Sequence, residues 1–325
     1  MASIRDVAKM ANVGVGTVSR ALNGTGYVSA DAKKRIDEAI QELGYTPNEL
    51  AKNLFRNRSG IVGIVVPNLE HPFFARLSRE IESCLYERGY KTMICNTIGI
   101  SNREKDYLDM LDRNIVDGII TGAHSLDDSV YLKINKPIVA LDRDFGRKIP
   151  LIHSDHEKGG RLAAMTLIEA GCKNVLQFAT SSLVHTPSNK RHIEFEKICR
   201  EHGVRVTTVE TVWNNLEYEY FRNAMKDYMD IYEDIDGIFT ADVAAAFCMN
   251  ALKAKGRRIP QEVKVIGYDA VGIIYLTDPV MTSIAQNTTE ISQRCVDTIL
   301  KMIEGNKNYE RQQIVDVALL KGDST

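Results

Sequence analysis

The chain has 325 residues, 44% of them hydrophobic and 26% charged, a composition that indicates a globular protein and excludes a fibrous or disordered one. The formal net charge of −2 hides an asymmetry, since residues 1–59 carry nine Lys/Arg against six Asp/Glu and the remainder carries 32 against 37. A slightly basic first segment on an acidic body suits phosphate contact at one end of the chain alone.

Residues 3–24 predict two short helices joined by a turn. In the first helix apolar residues recur at helical spacing, at Ile4, Val7, Ala8 and Ala11. Val18 and Leu22 turn the second helix towards the same small core. Its outward face then carries Thr17, Ser19 and Arg20. This pattern indicates a helix-turn-helix, whose second helix can enter the major groove of DNA.

A third helix is predicted from an N-cap at Ser29 to a C-cap at Gly44. A structural three-helix bundle without a DNA role is the plainer alternative. A dinucleotide loop at residues 14–16 is excluded, because no strand precedes it and no third glycine follows. Pro47 then opens a helix of about nine residues, below the ~12–15 at which isolated helices become marginally stable. We expect this helix to be ordered only when something holds it.

From residue 61 onwards apolar runs alternate with amphipathic helices, such as IVGIVVP before residues 74–88 and LIHSD before residues 158–170. Near-continuous apolar strands between helices indicate parallel sheets that are covered on both faces. The segment VDGIIT at 116–121 has an echo in IDGIFT at 235–240. The sequence therefore predicts two similarly built, doubly wound parallel-sheet subdomains.

Polar and aromatic residues follow several of these predicted strands. The carboxyl ends of parallel strands form the usual ligand-binding cleft of such folds. Acids, amides and arginine there bind hydroxyl groups, and aromatic rings pack on apolar ligand faces. The candidates are Phe73, Phe74, Asp142, Arg191, Trp213, Asp242, Asp269 and Gln286.

The cysteines and histidines argue against a metal or cofactor. Six cysteines are scattered without a Cys-x-x-Cys pair, which favours reduced, buried thiols. His153 and His156 lack a convincing third ligand, so we expect no metal site there. A charged start and the absence of an 18-residue apolar run predict a cytoplasmic, unexported protein with no membrane partner.

The helix-turn-helix, the segment GYTPN at 44–48 and the α/β body together resemble the LacI/GalR family of bacterial regulators. Within the family, the segments CNT, DGIITGAHSL, PIVALDRD and IPLIHSD are most similar to those of sucrose-operon repressors. The resemblance implies a DNA-binding domain at 1–46, a hinge helix and linker at 47–59, and a periplasmic-binding-protein-like core at 60–325. In that core, 60–158 and about 288–318 form one subdomain, and 159–287 with 319–325 form the other.

The resemblance also implies the DNA contacts. Val15 and Gly16 stand at the two base-selecting positions, but neither side chain can hydrogen-bond a base, so Arg20 and DNA shape become more important. Leu54 stands where a leucine pair wedges into the minor groove, although Leu50, Ala51 and Leu54 could instead pack against a partner copy. The full set of implied contacts is Val15, Gly16, Thr17, Ser19, Arg20, Asn23, Tyr45, Asn48, Ala51 and Leu54.

For the ligand, the resemblance selects Phe73, Asp142, Arg191, Trp213, Asp269 and Gln286 from the candidates above. The chain departs from the family at Ala241, which removes a polar partner for a sugar hydroxyl, and at Glu194, which can add one. Each candidate has a plainer alternative: Trp213 as core, Asp142 and Asp269 as helix caps, and Arg191 as part of a solvated basic run.

The expected function is a dimeric, non-enzymatic repressor that binds a pseudo-palindromic operator and is released by a small sugar, sucrose or a relative of it. The rivals are a corepressor-dependent regulator, a sugar-binding protein without a regulatory role, and an α/β enzyme. The enzyme is disfavoured because the sequence has no nucleophile elbow, P-loop or metal-ligand set.

Overall fold

The computed structural model describes residues 2–24, 26–46, 58–97, 103–123, 126–179, 186–212 and 215–325. It divides into two compact units, Met1–Gly60 and Ile61–Thr325. The predicted hinge helix, with its contacts Asn48, Ala51 and Leu54, lies outside the described residues, and so does Trp213.

The first unit contains the three predicted helices, α1 (Ile4–Met10), α2 (Val15–Asn23) and α3 (Ala30–Leu43). Ser3 and Asp6 form a capping box at the start of α1, which satisfies amide groups that the helix itself cannot. The predicted caps of α3 are confirmed, with Ser29 accepting from the amide of Ala32 and Gly44 in the left-handed region at φ 56°. Val7, Val18 and Ile36, one from each helix, are fully buried in the shared core.

The second unit alternates strands and helices, and it contains two six-stranded sheets. Its strands are β1 (Ile61–Val66), β2 (Lys91–Asn96), β3 (Gly118–Thr121), β4 (Ile138–Leu141), β5 (Leu151–Ser154), β6 (Asn174–Ala179), β7 (Arg205–Glu210), β8 (Gly237–Phe239), β9 (Lys264–Asp269), β10 (Thr282–Gln286), β11 (Gln312–Val315) and β12 (Val317–Leu320). Its helices are α4 (Pro72–Glu87), α5 (Arg103–Asp112), α6 (Asp128–Lys133), α7 (His156–Glu169), α8 (Lys190–Glu201), α9 (Tyr218–Ile231), α10 (Asp242–Ala254) and α11 (Thr288–Ile303).

We call the two sheets with their covering helices the first lobe and the second lobe. The first sheet has the order β11-β5-β4-β3-β1-β2, and the second has the order β12-β10-β9-β8-β6-β7. The pairings are parallel as predicted, except that β12 runs antiparallel to β10. Each sheet has an apolar core on both faces, which explains why inner strands such as β1 and β4 consist of apolar residues and glycine, whereas the edge strands β2 and β7 carry polar residues.

The chain crosses between the lobes three times. It leaves the first lobe after β5 to form α7, which packs in the second lobe. It returns after β10 to form α11, which packs against α4 in the first lobe. It crosses again at Asp316, between β11 and β12. Residues at these crossings are therefore linked to both lobes.

No helix in the described part of the chain is long and apolar enough to cross a membrane.

Candidate functional site

A cavity lies between the two lobes of the second unit, and residues of both lobes line it. It is located where β1, β4, β6 and β9 end, as expected for the carboxyl edges of parallel strands. Among the predicted ligand-binding residues, those that line it are Phe73, Phe74, Asp142, Arg191, Asp269 and Gln286. Five segments far apart in the sequence thus place these side chains around one space.

Phe73 and Phe74 form an aromatic wall at the start of α4. Their rings meet edge to face, with centroids 5.3 Å apart and planes inclined at 74°. Pro72 begins the helix, so α4 starts two residues earlier than the hydrophobic pattern alone suggests. His71 is the N-cap of this helix, and it is buried beside Phe74 at the cavity.

A chain of contacts below the cavity joins Asp142 of the first lobe to Arg191 of the second. Asp142 Oδ1 lies 2.8 Å from His156 Nε2, and Nδ1 of the same imidazole lies 2.9 Å from the hydroxyl of Tyr268. The guanidinium of Arg191 is 4.4 Å from the centroid of the Tyr268 ring, a cation–π contact. The two ends of this chain line the cavity, while His156 and Tyr268 are buried.

The proton positions in this chain follow from the chemistry of its groups. Burial lowers the pKa of His156, although Asp142 opposes this effect. A neutral imidazole has one donor and one acceptor nitrogen. Because the Asp142 carboxylate accepts, Nε2–H donates to it, and Nδ1 accepts from the hydroxyl of Tyr268.

Arg191 is positioned by its own helix and by α7. Its Nε donates to Nε2 of His192 at 3.2 Å, and Nδ1 of His192 lies 3.2 Å from Oε1 of Gln177. Gly160 lets the two helix backbones approach closely, since a Cβ at this position would lie 2.1 Å from the carbonyl oxygen of Arg191. Arg191 therefore belongs to the cavity wall and not to a solvated basic run.

Gln286 links Asp269 to Ser154, the last residue of β5, after which the chain leaves the first lobe. Its Nε2 donates to Asp269 Oδ1 at 2.6 Å, and its Oε1 accepts from Ser154 Oγ at 2.6 Å. Asp269 has φ 113°, an unusual backbone conformation that turns the chain at the end of β9. Burial raises the pKa of Asp269 to about 6, while Arg191 opposes the shift.

Asp242 differs from the prediction, because it does not line the cavity. It is fully buried at the first position of α10, where its Oδ1 accepts from Ser283 Oγ at 2.6 Å and its Oδ2 from the amide of Val271 at 2.8 Å. The preceding residue, Ala241, faces the cavity instead. Asp242 therefore stabilises the loop after β9 and is not part of the wall of the ligand site.

Contacts also bear on the alternatives for Asp142 and Asp269 and on the role of Glu194. Neither Asp142 nor Asp269 caps a helix; Asp155 is the N-cap of α7, and its side chain accepts from the amide of Lys158. Glu194, noted for its departure from the family pattern, pairs with Arg161 and Lys197 outside the cavity lining.

A metal-like arrangement of three residues occurs at the edge of the cavity. The ligand atoms of Asp142, His153 and His156 lie within 4.8 Å of one another, so the third residue that sequence reasoning missed is present. However, both nitrogens of His156 already have hydrogen-bond partners, and those of His153 lie 2.7 Å from the Ser154 carbonyl and 3.2 Å from Gln312 Nε2. Hydrogen bonds thus explain the arrangement without an ion, and we assign no metal to it.

The predicted DNA-contacting residues of α2 are on the surface of the first unit. Val15 is 43% exposed, and Gly16 has open space where a side chain would be. Arg20 lies along the helix, with Nε 3.3 Å from the Gly16 carbonyl and Nη2 3.3 Å from Thr17 Oγ1. Asn23 donates to Ser19 Oγ one turn back, and Tyr45 is half-buried after α3. Thr17, Ser19, Arg20 and Asn23 thus offer hydrogen-bonding groups along one helix.

Comparisons with known proteins agree with this architecture. The model of bacterial regulatory proteins of the lacI family matches residues 3–48, and the model of the periplasmic binding protein-like domain matches residues 164–325. The sucrose operon repressor of Streptococcus mutans is 34% identical over 325 residues, which cover 100% of this chain and 99% of that protein. The chain belongs to the LacI family of bacterial regulators.

Two further relatives support the same assignment. The ribose operon repressor of Halalkalibacterium halodurans is 35% identical over 94% of this chain and 91% of its own. A crystal structure of a periplasmic binding protein/LacI transcriptional regulator from Alkaliphilus metalliredigens, complexed with D-xylulofuranose, is 31% identical with a TM-score of 0.73. It covers 82% of this chain and 99% of that one. The family members that the chain resembles are transcriptional regulators.

Proposed function

We propose that this LacI-family protein represses a sugar-utilisation operon, and that a small saccharide in the interlobe cavity lowers its affinity for operator DNA. Sucrose is the first candidate, with fructose and ribose next. The protein acts as a homodimer on a pseudo-palindromic operator and performs no catalytic step.

The observation that carries this proposal is the convergence of Phe73, Asp142, Arg191, Asp269 and Gln286 on one cavity. Carboxylates, an amide and a guanidinium bind hydroxyl groups through directional hydrogen bonds. The aromatic wall suits the C–H face of a sugar ring. Few polar groups in a largely apolar cleft are the usual basis of orientation and specificity in small-molecule sites.

The names of the relatives support a sugar as ligand. Sucrose and ribose operon repressors are among them, and the relative from Alkaliphilus metalliredigens holds D-xylulofuranose. A pentose, a hexose and a disaccharide share hydroxyl groups and C–H faces, so these names support the ligand class more strongly than one particular sugar.

The allosteric step requires only that the sugar binds the two conformational states with different affinity. A thousandfold loss of operator affinity corresponds to about 4 kcal/mol of coupling. The hydrogen bond from Ser154 to Gln286 joins the two sheets next to a lobe crossing, so we expect it to change with the angle between the lobes. The resemblance implies that the hinge helix at 47–59 transmits this change, because a short helix melts without its partner copy.

The proposed DNA contacts remain those of α2 and the hinge. Arg20 supplies the hydrogen-bond donors for a base edge, Val15 packs against a thymine methyl group, and Leu54 enters the minor groove. Thr17, Ser19, Asn23, Tyr45, Asn48, Ala51 and Gly16 complete the surface that contacts DNA.

A binding titration on labelled upstream DNA tests the proposal. The full-length protein is titrated at fixed salt with and without sucrose, fructose or ribose, because phosphate contacts make affinities strongly salt-dependent. We expect at least one sugar to weaken operator binding while binding to unrelated DNA is unchanged. A sugar that strengthens operator binding would establish the corepressor alternative instead, and no effect of any sugar would overturn the proposal.

A further inference from the structure

The charges around the cavity contain information about the ligand that the architecture alone does not. Among the described lining residues, Asp142 and Asp269 carry the carboxyl groups, and Arg191 is the only Lys or Arg. The cavity is therefore neutral to negative before any ligand enters, depending on the ionisation of Asp269.

We infer that the cavity takes an uncharged saccharide and rejects the phosphate esters of the same sugar. This rests on the proposed function and adds the charge class of the effector. A phosphate monoester brings about −1.5 to −2 charges at pH 7 and needs several charge-assisted hydrogen bonds in return. The two lining carboxylates oppose that charge, whereas hydroxyl groups can donate to them.

Among the described residues, the histidines in the wall and directly behind it do not supply the missing positive charge. His192 accepts from Arg191 Nε at Nε2, so this nitrogen carries no proton and the ring is neutral. His71 is buried close to Arg191, and its pKa is lowered to about 4 by burial and by that guanidinium. His156 already donates to Asp142 and accepts from Tyr268, which again describes a neutral ring. Both ring nitrogens of His153 already have hydrogen-bond partners, Nδ1 with the Ser154 carbonyl and Nε2 with Gln312 Nε2.

Helix dipoles do not reverse this balance. Helix α4 begins at the cavity with Pro72, which has no amide hydrogen, and α8 begins next to Arg191. Each helix N-terminus is equivalent to roughly half a positive charge. Together with Arg191 these termini offset the two carboxylates, so the described part of the lining has no positive charge left over to neutralise a phosphate.

Part of the Arg191 side chain already interacts with other residues of the protein. Its Nε donates to His192, and its guanidinium lies on the ring of Tyr268. The remaining Nη groups can donate to sugar hydroxyl oxygens beside Asp142 and Asp269. Such mixed donors and acceptors match a hydroxyl, which both donates and accepts, better than a phosphate, which mainly accepts.

The test compares matched pairs of sugars on the full-length protein. Sucrose with sucrose 6-phosphate, fructose with fructose 6-phosphate, and ribose with ribose 5-phosphate are titrated by calorimetry and in the operator-release assay. We expect the active sugar to bind roughly 100-fold or more tightly than its phosphate ester, because like charges in an interface cost several kcal/mol. A phosphate ester that binds as tightly or more tightly overturns the inference while the proposed function survives. If neither form of any sugar binds, both fall.

Variants then locate the source of the discrimination. Asp142→Asn and Asp269→Asn keep a hydrogen-bond acceptor but remove one charge each, so the affinity ratio of sugar to phosphate ester should fall by roughly tenfold for each. Asp278→Asn is the control, since that carboxylate is 96% exposed and pairs with Lys253 outside the cavity. The assignment of the rejection to these carboxylates is overturned if Asp142→Asn and Asp269→Asn leave the ratio as unchanged as the Asp278→Asn control does. The ratio within each variant does not depend on its stability.

Discussion

The hydroxyl of Tyr268 lies 2.9 Å from Nδ1 of His156, and this hydrogen bond continues through Nε2 to Asp142 in the opposite lobe. Tyr268 is in β9 of the second sheet, whereas Asp142 follows β4 of the first. His156 stands at a chain crossing between them. We therefore expect a change in the angle between the lobes to strain or break one of these two hydrogen bonds and so to alter the cavity wall at Asp142.

Replacing Tyr268 by Phe removes this bond and keeps the ring that supports Arg191. Nδ1 of a buried, neutral His156 loses its donor, and an unsatisfied buried acceptor costs about 1–3 kcal/mol. We expect the free energy of unfolding to fall by that amount in urea titrations and the sugar affinity to change. Tyr275→Phe is the matched control, because this tyrosine is 64% exposed. Equal behaviour of the two variants would show that the hydroxyl of Tyr268 plays no part.

Arg191→Ala should abolish the sugar response while operator binding persists. The substitution removes the only Lys or Arg among the described lining residues and leaves the first unit untouched. The measurement is operator affinity with and without the active sugar. Arg200→Ala, on the same helix but in an exposed pair with Glu196, should respond as the parent does. A normal response of Arg191→Ala would remove this residue from the ligand site.

Two glycines in helices should respond to alanine with opposite signs. At Gly160 the added Cβ would lie 2.1 Å from the Arg191 carbonyl oxygen, and neither backbone can yield cheaply. Overpacking of this kind costs about 1–3 kcal/mol. At Gly16 nothing lies within 4 Å, so alanine should stabilise α2 by about 0.5–1 kcal/mol. The measurement is the change in thermal unfolding temperature for Gly160→Ala and Gly16→Ala. Destabilisation of similar size at the two sites would contradict the packing argument.

The sequence was sufficient for the features that depend on local patterns. Apolar spacing and caps predicted α1, α2 and α3, and apolar runs predicted the two parallel sheets. Strand ends also led to Asp142, Asp269 and Gln286, because parallel strands place such positions along one edge. Antiparallel β12 escaped prediction, since its direction depends on the third crossing and not on its own residues.

The same reasoning misplaced Asp242, considered His156 only as a metal ligand, and overlooked Tyr268 and His192. Asp242 also follows a strand, but long-range bonds to Ser283 and Val271 hold it beneath the wall. His156 and Tyr268 are separated by 112 residues and meet only through the fold. The one local signal for a role of His192 was its position directly after Arg191 in the sequence.

Leu54→Ala tests the hinge, which sequence resemblance places at the operator centre. An inserted leucine unstacks one base step, which costs a few kcal/mol and requires a deformable central sequence. We expect the variant to lose much more affinity for the operator than for non-specific DNA at the same salt concentration. Lys52→Ala, in the same predicted helix, is the contrasting change, because removal of a positively charged side chain near the DNA phosphates should weaken binding to all sequences alike. Equal losses in both kinds of DNA for Leu54→Ala would exclude the wedge.

Asp269 should make stability depend on pH in an unusual direction. Burial raises its pKa from 3.8 to about 6, so between these values the folded state binds more protons than the unfolded state. The contribution of Asp269 to the free energy of unfolding therefore falls as pH rises from about 4 to 6, and it is constant outside that window. Asp269→Asn removes this term but leaves the neighbouring Asp142, Arg191 and buried Asp242 in place. The difference in unfolding free energy, variant minus parent, should rise through the same window in urea titrations at fixed salt. A flat difference would mean that Asp269 titrates alike in both states.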